Sequence, residues 1–549
     1  MDARRWWYRA LVCLLAVALA LLLLSGAAAG TDANVTLETG EPAGTEPLAN
    51  ASGQTEVVVR FDPIENVDRH HADAVVEELV DHAADEQAAF EAFADDHDAV
   101  TVESEFWLAN AMLVTVDADE VGSTDLLAVS NVTHVHENVE IETFHVDSDP
   151  ADVGDDTPEI DGTPRSSAGQ RPQTSGDAAT YTAGLELIGV PAAWDRFDTR
   201  GAGATVAVID TGVDPDHQDV DLHGWAEFDQ NGTLVTDDLA DARDPNGHGT
   251  HVAGTVAGGN RSGTHIGVAP DARLYGINTF GEDGSATFAS VLGGMEHATA
   301  NEEVDVLQMS LGTNGTFGGF IRPVRNARAA DKLVVAAAGN AGHGTSSSPA
   351  NTYEALAVGA VRNDRVVATF SGGEEINKTA AFGAPPAQWP DYYVVPDVTA
   401  PGVDVRSAEA GTTDGYVELQ GTSMAAPHVG GTAALAVAAT DGRIGGDDLQ
   451  SAIVDTAVHP DGAAVPDDRH GHGVVDSVAA VDAATEAAPP ITPTPTPSPT
   501  PTPEAVDPAV NDDASGFGVL TALVAAAGVT LLVAIRSACG TGTSARRRE

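Results

Sequence analysis

The sequence predicts an α/β fold: a doubly wound parallel sheet over residues 181–486, preceded by a small α+β unit over 54–146. Three observations carry this. Val206 to Ile209, Val304 to Met309, Leu333 to Ala338 and Leu356 to Val361 are continuous apolar runs with helical patterns between them, as buried parallel strands require. The first run ends in Asp210, an acid at the carboxyl end of a strand, where open α/β sheets keep functional residues. The chain has 549 residues, too many for one ordinary domain.

In order along the chain, Arg4, Arg5 and Arg9 precede an apolar run, Ala10 to Leu24, and an A-x-A pattern before Gly30. This reads as a secretory signal over 1–29, followed by a polar spacer over 30–53. Glu56 to Phe61 predicts a strand, Ala72 to Phe93 a helix, Val100 to Trp107 and Ala111 to Val116 two strands, Ala118 to Val129 a short helix, and Val132 to Ile141 a last strand. The order β-α-β-β-α-β is the ferredoxin-like arrangement. Residues 147–180 are acidic and rich in Gly, Pro and Ser, an exposed linker. Pro489 to Pro503 alternates Pro with Thr or Ser, so 487–515 reads as an extended stalk. An apolar run at 516–535 predicts a membrane helix, with a basic tail at 536–549 on its cytoplasmic side.

The formal charge is −57, from 83 acidic and 26 basic residues, with Lys332 and Lys378 as the lysines. A chain this acidic repels itself in dilute buffer, and roughly 1 M salt, with a Debye length of about 3 Å, relieves the repulsion. The composition resembles that of proteins from salt-loving archaea. Nucleic acid is excluded as a partner, because it needs a basic face. Cys13 and Cys539 lie in or beside the two apolar terminal runs, so the folded part has no disulfide.

Three short stretches fit one mechanism. Asp210 stands in Ile209-Asp210-Thr211-Gly212, His248 in Asn246-Gly247-His248-Gly249-Thr250-His251, and Ser423 in Gly421-Thr422-Ser423-Met424-Ala425. A serine hydroxyl needs an imidazole to accept its proton, and the imidazole needs a carboxylate to fix its tautomer. Ser423 falls in the first turn of an Ala/Gly-rich helix, with Thr422 as the expected N-cap and Pro427 early enough to be tolerated. Backbone N–H groups there lack internal partners and favour developing negative charge. His251, three residues after His248, is expected to pack rather than to ligate a metal.

These stretches, in the order Asp, His, Ser, resemble the motifs of the subtilisin-like serine proteases, and Val335 to Asn340 resembles that family's oxyanion-hole segment. The resemblance covers roughly 181–485. It implies Ser423 as nucleophile, His248 as general base and then acid, Asp210 as the orienting carboxylate, and Asn340 as an oxyanion donor beside the Ser423 N–H. Ser310, Leu311 and Gly312 resemble the strand that pairs with substrate backbone and, with Ala337, Ala338 and Gly339, walls the specificity pocket. Gly471 to Asp476 resembles the closing motif of the catalytic domain. The unit at 54–146 resembles the inhibitory propeptide, which implies self-cleavage between about Val146 and Tyr181.

The expected protein is a monomeric, exported endopeptidase acting on protein and peptide substrates at the outer face of the membrane. Its own prodomain is its intramolecular inhibitor, and the chemistry needs no cofactor. Asp219 aligns with a calcium ligand of the family, but Arg261 falls where a neutral ligand is expected and would repel a cation. The C-terminus partly resembles archaeosortase sorting signals, with Ser515 where proline is expected, so a permanent anchor is preferred. The rival reading is a catalytically silent surface protein on the same fold.

Overall fold

A computed structural model describes residues 47–49, 51–64, 72–144, 180–460, 462 and 465–490. The chain divides into two units, 1–490 and 491–549, and all described residues belong to the first. The signal segment, most of the spacer, nearly all of the linker, the stalk from 491 onward, the apolar run at 516–535 and the tail lie outside the described residues. Among the described residues no helix is long and apolar enough to cross a membrane.

The N-terminal part comprises β1 (Gln54–Phe61), α1 (Ala72–Asp95), β2 (Val100–Phe106), β3 (Ala111–Asp117), α2 (Ser123–Leu127), β4 (Val132–Glu137) and β5 (Glu140–Thr143). Strands β1 to β4 form an antiparallel sheet in the order β2-β3-β1-β4. Alternating apolar residues of β1 and β3 pack against Phe90 of α1 and Leu126 of α2. Two expectations need correction. The second helix occupies 123–127, because a turn at 118–120 and the extended N-cap Gly122 precede it. The single last strand expected over 132–141 is broken at Asn138-Val139, and its second half, β5, leaves its own sheet for another one.

The second part is built on an eight-stranded sheet. In chain order its elements include β6 (Thr205–Asp210), β7 (Leu222–Phe228), β8 (Leu234–Thr236), α3 (His248–Ala257), β9 (Arg273–Asn278), β10 (Ala286–Thr287), α4 (Phe288–Ala300), β11 (Val306–Met309), β12 (Leu311–Asn314), β13 (Leu333–Ala337), β14 (Leu356–Val361), β15 (Val398–Pro401) and α5 (Thr422–Ala439). The sheet order is β15-β14-β13-β11-β6-β9-β7-β8. All pairings are parallel except β7 with β8. Every residue of β6, β11, β13 and β14 is buried, because helices cover both faces; that is why these strands read as unbroken apolar runs. Each Val or Ile so buried contributes about 1.5–3 kcal/mol.

The topology positions the site. Strand β6 lies between β9 and β11, so the chain winds away from it in both directions and a crevice opens at its carboxyl end. Helix α5 crosses the sheet as an Ala/Gly-rich rod whose first sixteen residues are all buried. Its small residues permit the close approach: a Cβ on Gly430 would lie 2.6 Å from Gln308 Oε1, and one on Gly431 2.5 Å from Val268 Cβ.

The two parts share one apolar cluster, in which Phe106, Leu108 and Leu113 meet Phe280, Phe288 and Val291. Polar contacts close its rim. Arg322 Nη1 donates to the Phe61 carbonyl at 2.6 Å, and Asn326 Nδ2 to the Leu108 carbonyl at 2.7 Å.

Candidate active site

Asp210 is the last residue of β6 and is fully buried. Its Oδ1 accepts from His248 Nδ1 at 2.7 Å and from the Thr211 N–H at 2.7 Å. His248 opens α3, held by a network beneath it. The Asp244 carboxylate accepts from the N–H groups of Asn246, Gly247 and Thr250 and from the hydroxyls of Thr211 and Thr250, at 2.6–3.1 Å. Burial pushes the Asp244 carboxyl up, against the pull of those donors. Gly249 is required here: a Cβ would lie 2.0 Å from the Gly212 carbonyl and 3.1 Å from Asp210 Cβ, prising helix from strand. His251 donates or accepts only toward the core, its Nε2 2.9 Å from the Val405 carbonyl. Burial lowers it to about 3, so it stays neutral and packs.

Ser423 is the second residue of α5, fully buried. The helix is capped at Gly421 and Thr422 is its first residue, so the expected N-cap shifts by one. Thr422 instead holds the neighbouring asparagine, since its N–H and hydroxyl both donate to Asn340 Oδ1, at 2.9 and 3.0 Å. With its oxygen so engaged, Asn340 is oriented, and its buried Nδ2 has no protein acceptor among the described residues. Beside it Gly339 has φ +102°, with Ser347 Oγ 2.2 Å from where a Cβ would be.

Pro427 explains Ser310. Proline has no N–H, so the Ser423 carbonyl four residues earlier loses its helical donor. The Ser310 hydroxyl supplies it, donating to that carbonyl at 2.8 Å. In return the Ser423 hydroxyl donates to the Ser310 carbonyl at 2.9 Å. The Ser310 side chain thus braces the serine helix, and only its backbone faces the crevice.

The crevice is filled by the N-terminal part. Strand β5 pairs antiparallel with β12, Thr143 opposite Leu311 and Glu142 opposite Gly312. Its other edge pairs with β10, Ile141 opposite Ala286. The Phe144 N–H donates to the Ser310 carbonyl at 3.4 Å, and the Phe144 carbonyl accepts from the Ser423 N–H at 3.4 Å. The Phe144 ring lies against Gly312, within 3.0 Å of where a Cβ would stand, and shares an apolar cluster with Ala337. Ala338 is fully buried in the neighbouring cluster. Residues Ala286 to Phe288 were not foreseen as a second edge, since a two-residue strand has no signal in the sequence.

Asp219, where the sequence alignment with a calcium ligand is set against Arg261, makes contacts within the protein. Asp219 Oδ1 accepts from the Arg261 backbone N–H at 2.7 Å, and Oδ2 from the Tyr416 hydroxyl at 2.5 Å, so both carboxylate oxygens are engaged within the protein.

Chemically, a carboxylate-held imidazole, a serine at a helix start and two donors, Asn340 Nδ2 and the Ser423 N–H, suit acyl transfer. Comparison with known proteins agrees. The family model described as "Subtilase family" matches residues 201–477. The chain is 37% identical over 308 residues to M-protease of Shouchella clausii (strain KSM-K16), covering 54% of this chain and 72% of that protein. It is 39% identical over 252 residues to Subtilisin Savinase of Lederbergia lenta (46% and 82%), and 39% identical over 241 residues to Subtilisin DY of Bacillus licheniformis (43% and 77%). By this match and these identities, the chain belongs to the subtilase family and is a serine endopeptidase.

Proposed function

We propose that this endopeptidase is made as a self-inhibited, self-processing precursor, with Ser423 as nucleophile, His248 as proton carrier and Asp210 as its orienting carboxylate. The single observation that carries the reading is the Phe144 carbonyl lying 3.4 Å from the Ser423 N–H while β5 is zipped into the crevice. A peptide carbonyl held there is where an oxyanion would form, with Asn340 Nδ2 as the second donor. The same main-chain pairing on Leu311 and Gly312 would hold a protein substrate, with alternate side chains reaching pockets. Ala337, Ala338 and Gly339 wall the pocket for the residue before the cut.

The reaction follows from these placements. The Ser423 hydroxyl turns from the Ser310 carbonyl toward His248 Nε2 and attacks the carbonyl carbon, and its proton passes to the imidazole. The oxyanion rests on Asn340 Nδ2 and the Ser423 N–H. His248 then gives the proton to the leaving amine, and the acyl-enzyme is hydrolysed by water through the same steps reversed. No cofactor is needed for this sequence.

The N-terminal α+β unit, with its β2-β3-β1-β4 sheet, is read as a ferredoxin-like prodomain that inhibits by occupying the crevice. This moves the processing bond from the 146–181 stretch expected from sequence to Phe144-His145. We further read the chain as exported and held at the cell surface through its apolar C-terminal run, as a monomer from a salt-loving archaeon. The signal-like pattern at 1–29, the Pro/Thr stalk and the charge of −57 support this.

The test uses the chain refolded in high salt, as wild type and as Ser423→Ala. Wild type should label with a serine-directed fluorophosphonate and cleave casein, and the variant should do neither. A folded wild type that neither labels nor cleaves would overturn the assignment of Ser423.

A further inference from the structure

Apart from the triad, a turn ahead of the helix Ser477–Ala487 gathers His459, Asp467 and His470. One nitrogen of each ring and one carboxylate oxygen lie within 4.8 Å of one another. We propose that these three side chains form a binding site for a zinc-class divalent ion, leaving a further coordination position for water.

The donor set comes first. Two imidazoles and one carboxylate match the preferences of zinc and its transition-metal neighbours, whereas calcium and magnesium take all-oxygen sets. Tetrahedral zinc with bonds of about 2.0–2.1 Å places its ligand atoms about 3.3 Å apart. His459 Nε2 and Asp467 Oδ2 are already 2.8 Å apart, and the rings of His459 and His470 are 4.9 Å apart between centroids. The His470 ligand nitrogen lies within 4.8 Å of both, and a bound ion would draw it the remaining distance.

Asp467 and His470 are also held from behind, as metal ligands are. Asp467 Oδ1 accepts the N–H groups of Arg469 and His470, at 2.9 and 2.7 Å, which turns Oδ2 toward His459. His470 Nε2 lies 3.2 Å from the Arg365 carbonyl; as an N–H it donates there and leaves the lone pair on Nδ1. The backbone closes the turn with reciprocal bonds between Asp467 and Gly471. Arg469, the cation within this turn, is directed elsewhere, to the carbonyls of Ser371 and Ala368 at 3.3 and 3.4 Å. The ordinary alternative is a His–Asp hydrogen bond with a second ring packed on it. That alternative accounts for the 2.8 Å contact and the ring packing, so titration with metal decides between the two.

The placement gives the ion a consequence. The turn packs on Gly373, whose Cβ position is 2.1 Å from the Asp468 carbonyl, and the neighbouring Gly372 donates its N–H to the Gly339 carbonyl at 2.8 Å. A bound ion would therefore stiffen the support of the segment that carries Asn340, and raise the unfolding temperature without entering the chemistry.

The experiment uses the full-length Ser423→Ala chain in high salt, stripped with a chelator and titrated with cobalt(II) and then zinc. One equivalent of cobalt should bind with the visible bands of a low-coordinate site. Zinc should displace it, and a large excess of calcium should not. His470→Ala, which removes a ring held by one backbone hydrogen bond and by packing on His459, should weaken cobalt binding at least tenfold, with its melting curve in chelator reading any loss of stability separately. Absence of saturable binding to the parent chain would overturn the proposal. So would displacement by calcium, or a loss smaller than tenfold in both His470→Ala and His459→Gln.

Discussion

Two histidine–aspartate pairs in this molecule have almost the same length and opposite surroundings. His248 and Asp210 meet at 2.7 Å with side chains 2% and 0% exposed. His343 and Asp468 meet at 3.0 Å with side chains 56% and 41% exposed. The first pair sits at the carboxyl end of the central strand, its carboxylate also held by a backbone N–H. The second is largely exposed to solvent and has no such anchor among the described residues. The contrast teaches that a distance alone assigns no role. A carboxylate fixes a catalytic imidazole only where burial leaves it no competing solvent and the fold dictates its direction.

Amide substitution separates the pairs. Asp210→Asn should lower kcat by about 10⁴-fold with the fold retained, because it favours the wrong tautomer of His248. Asp468→Asn should shift stability by less than about 1 kcal/mol, as exposed pairs do. Turnover of Asp210→Asn near that of wild type would erase the distinction. Next in size is Asn340→Ala, expected to cost about 10²–10³ in kcat with little change in KM, the loss typical of one oxyanion donor. A change confined to KM would place Asn340 in substrate binding instead.

The smallest effect concerns another buried carboxyl, outside both pairs. Glu296 on α4 accepts the Leu108 N–H at 2.6 Å across the contact between the two parts of the chain. Burial pushes it up to about 8, against the pull of the Leu108 and Trp107 N–H groups. The folded chain therefore holds this proton while the unfolded chain, near the ordinary 4.5, releases it. Stability from this group is full below about 4.5 and is lost as pH rises toward 8. Glu296→Gln should flatten that part of the curve of denaturation midpoint against pH. An unchanged slope would show that Glu296 does not titrate in this window.

Much of this was legible in the sequence, for physical reasons. Val206 to Ile209 and its neighbours are apolar because both faces of the sheet are covered, and Gly249 and Gly339 are glycines because strand, helix and turn approach too closely for a Cβ. Such constraints mark the chain locally. The break at Asn138-Val139 left no mark, because β5 pairs with β10 and β12 far along the chain, and nothing in its own residues says it will leave its sheet. The bracing of Ser423 by Ser310 was hidden for the same reason: the vacancy is made by Pro427 and filled from another strand. His459, Asp467 and His470 follow no helical or strand period, so only the folded turn brings them together.

The central claim is that the Phe144 carbonyl occupies the place of a scissile carbonyl. The most direct measurement is the N-terminal sequence of the large fragment released when the wild-type chain is refolded in high salt, with Ser423→Ala alongside. A fragment beginning at His145 is predicted in wild type, and an uncut chain in the variant. A first cut elsewhere, or cutting that persists in Ser423→Ala, would contradict it.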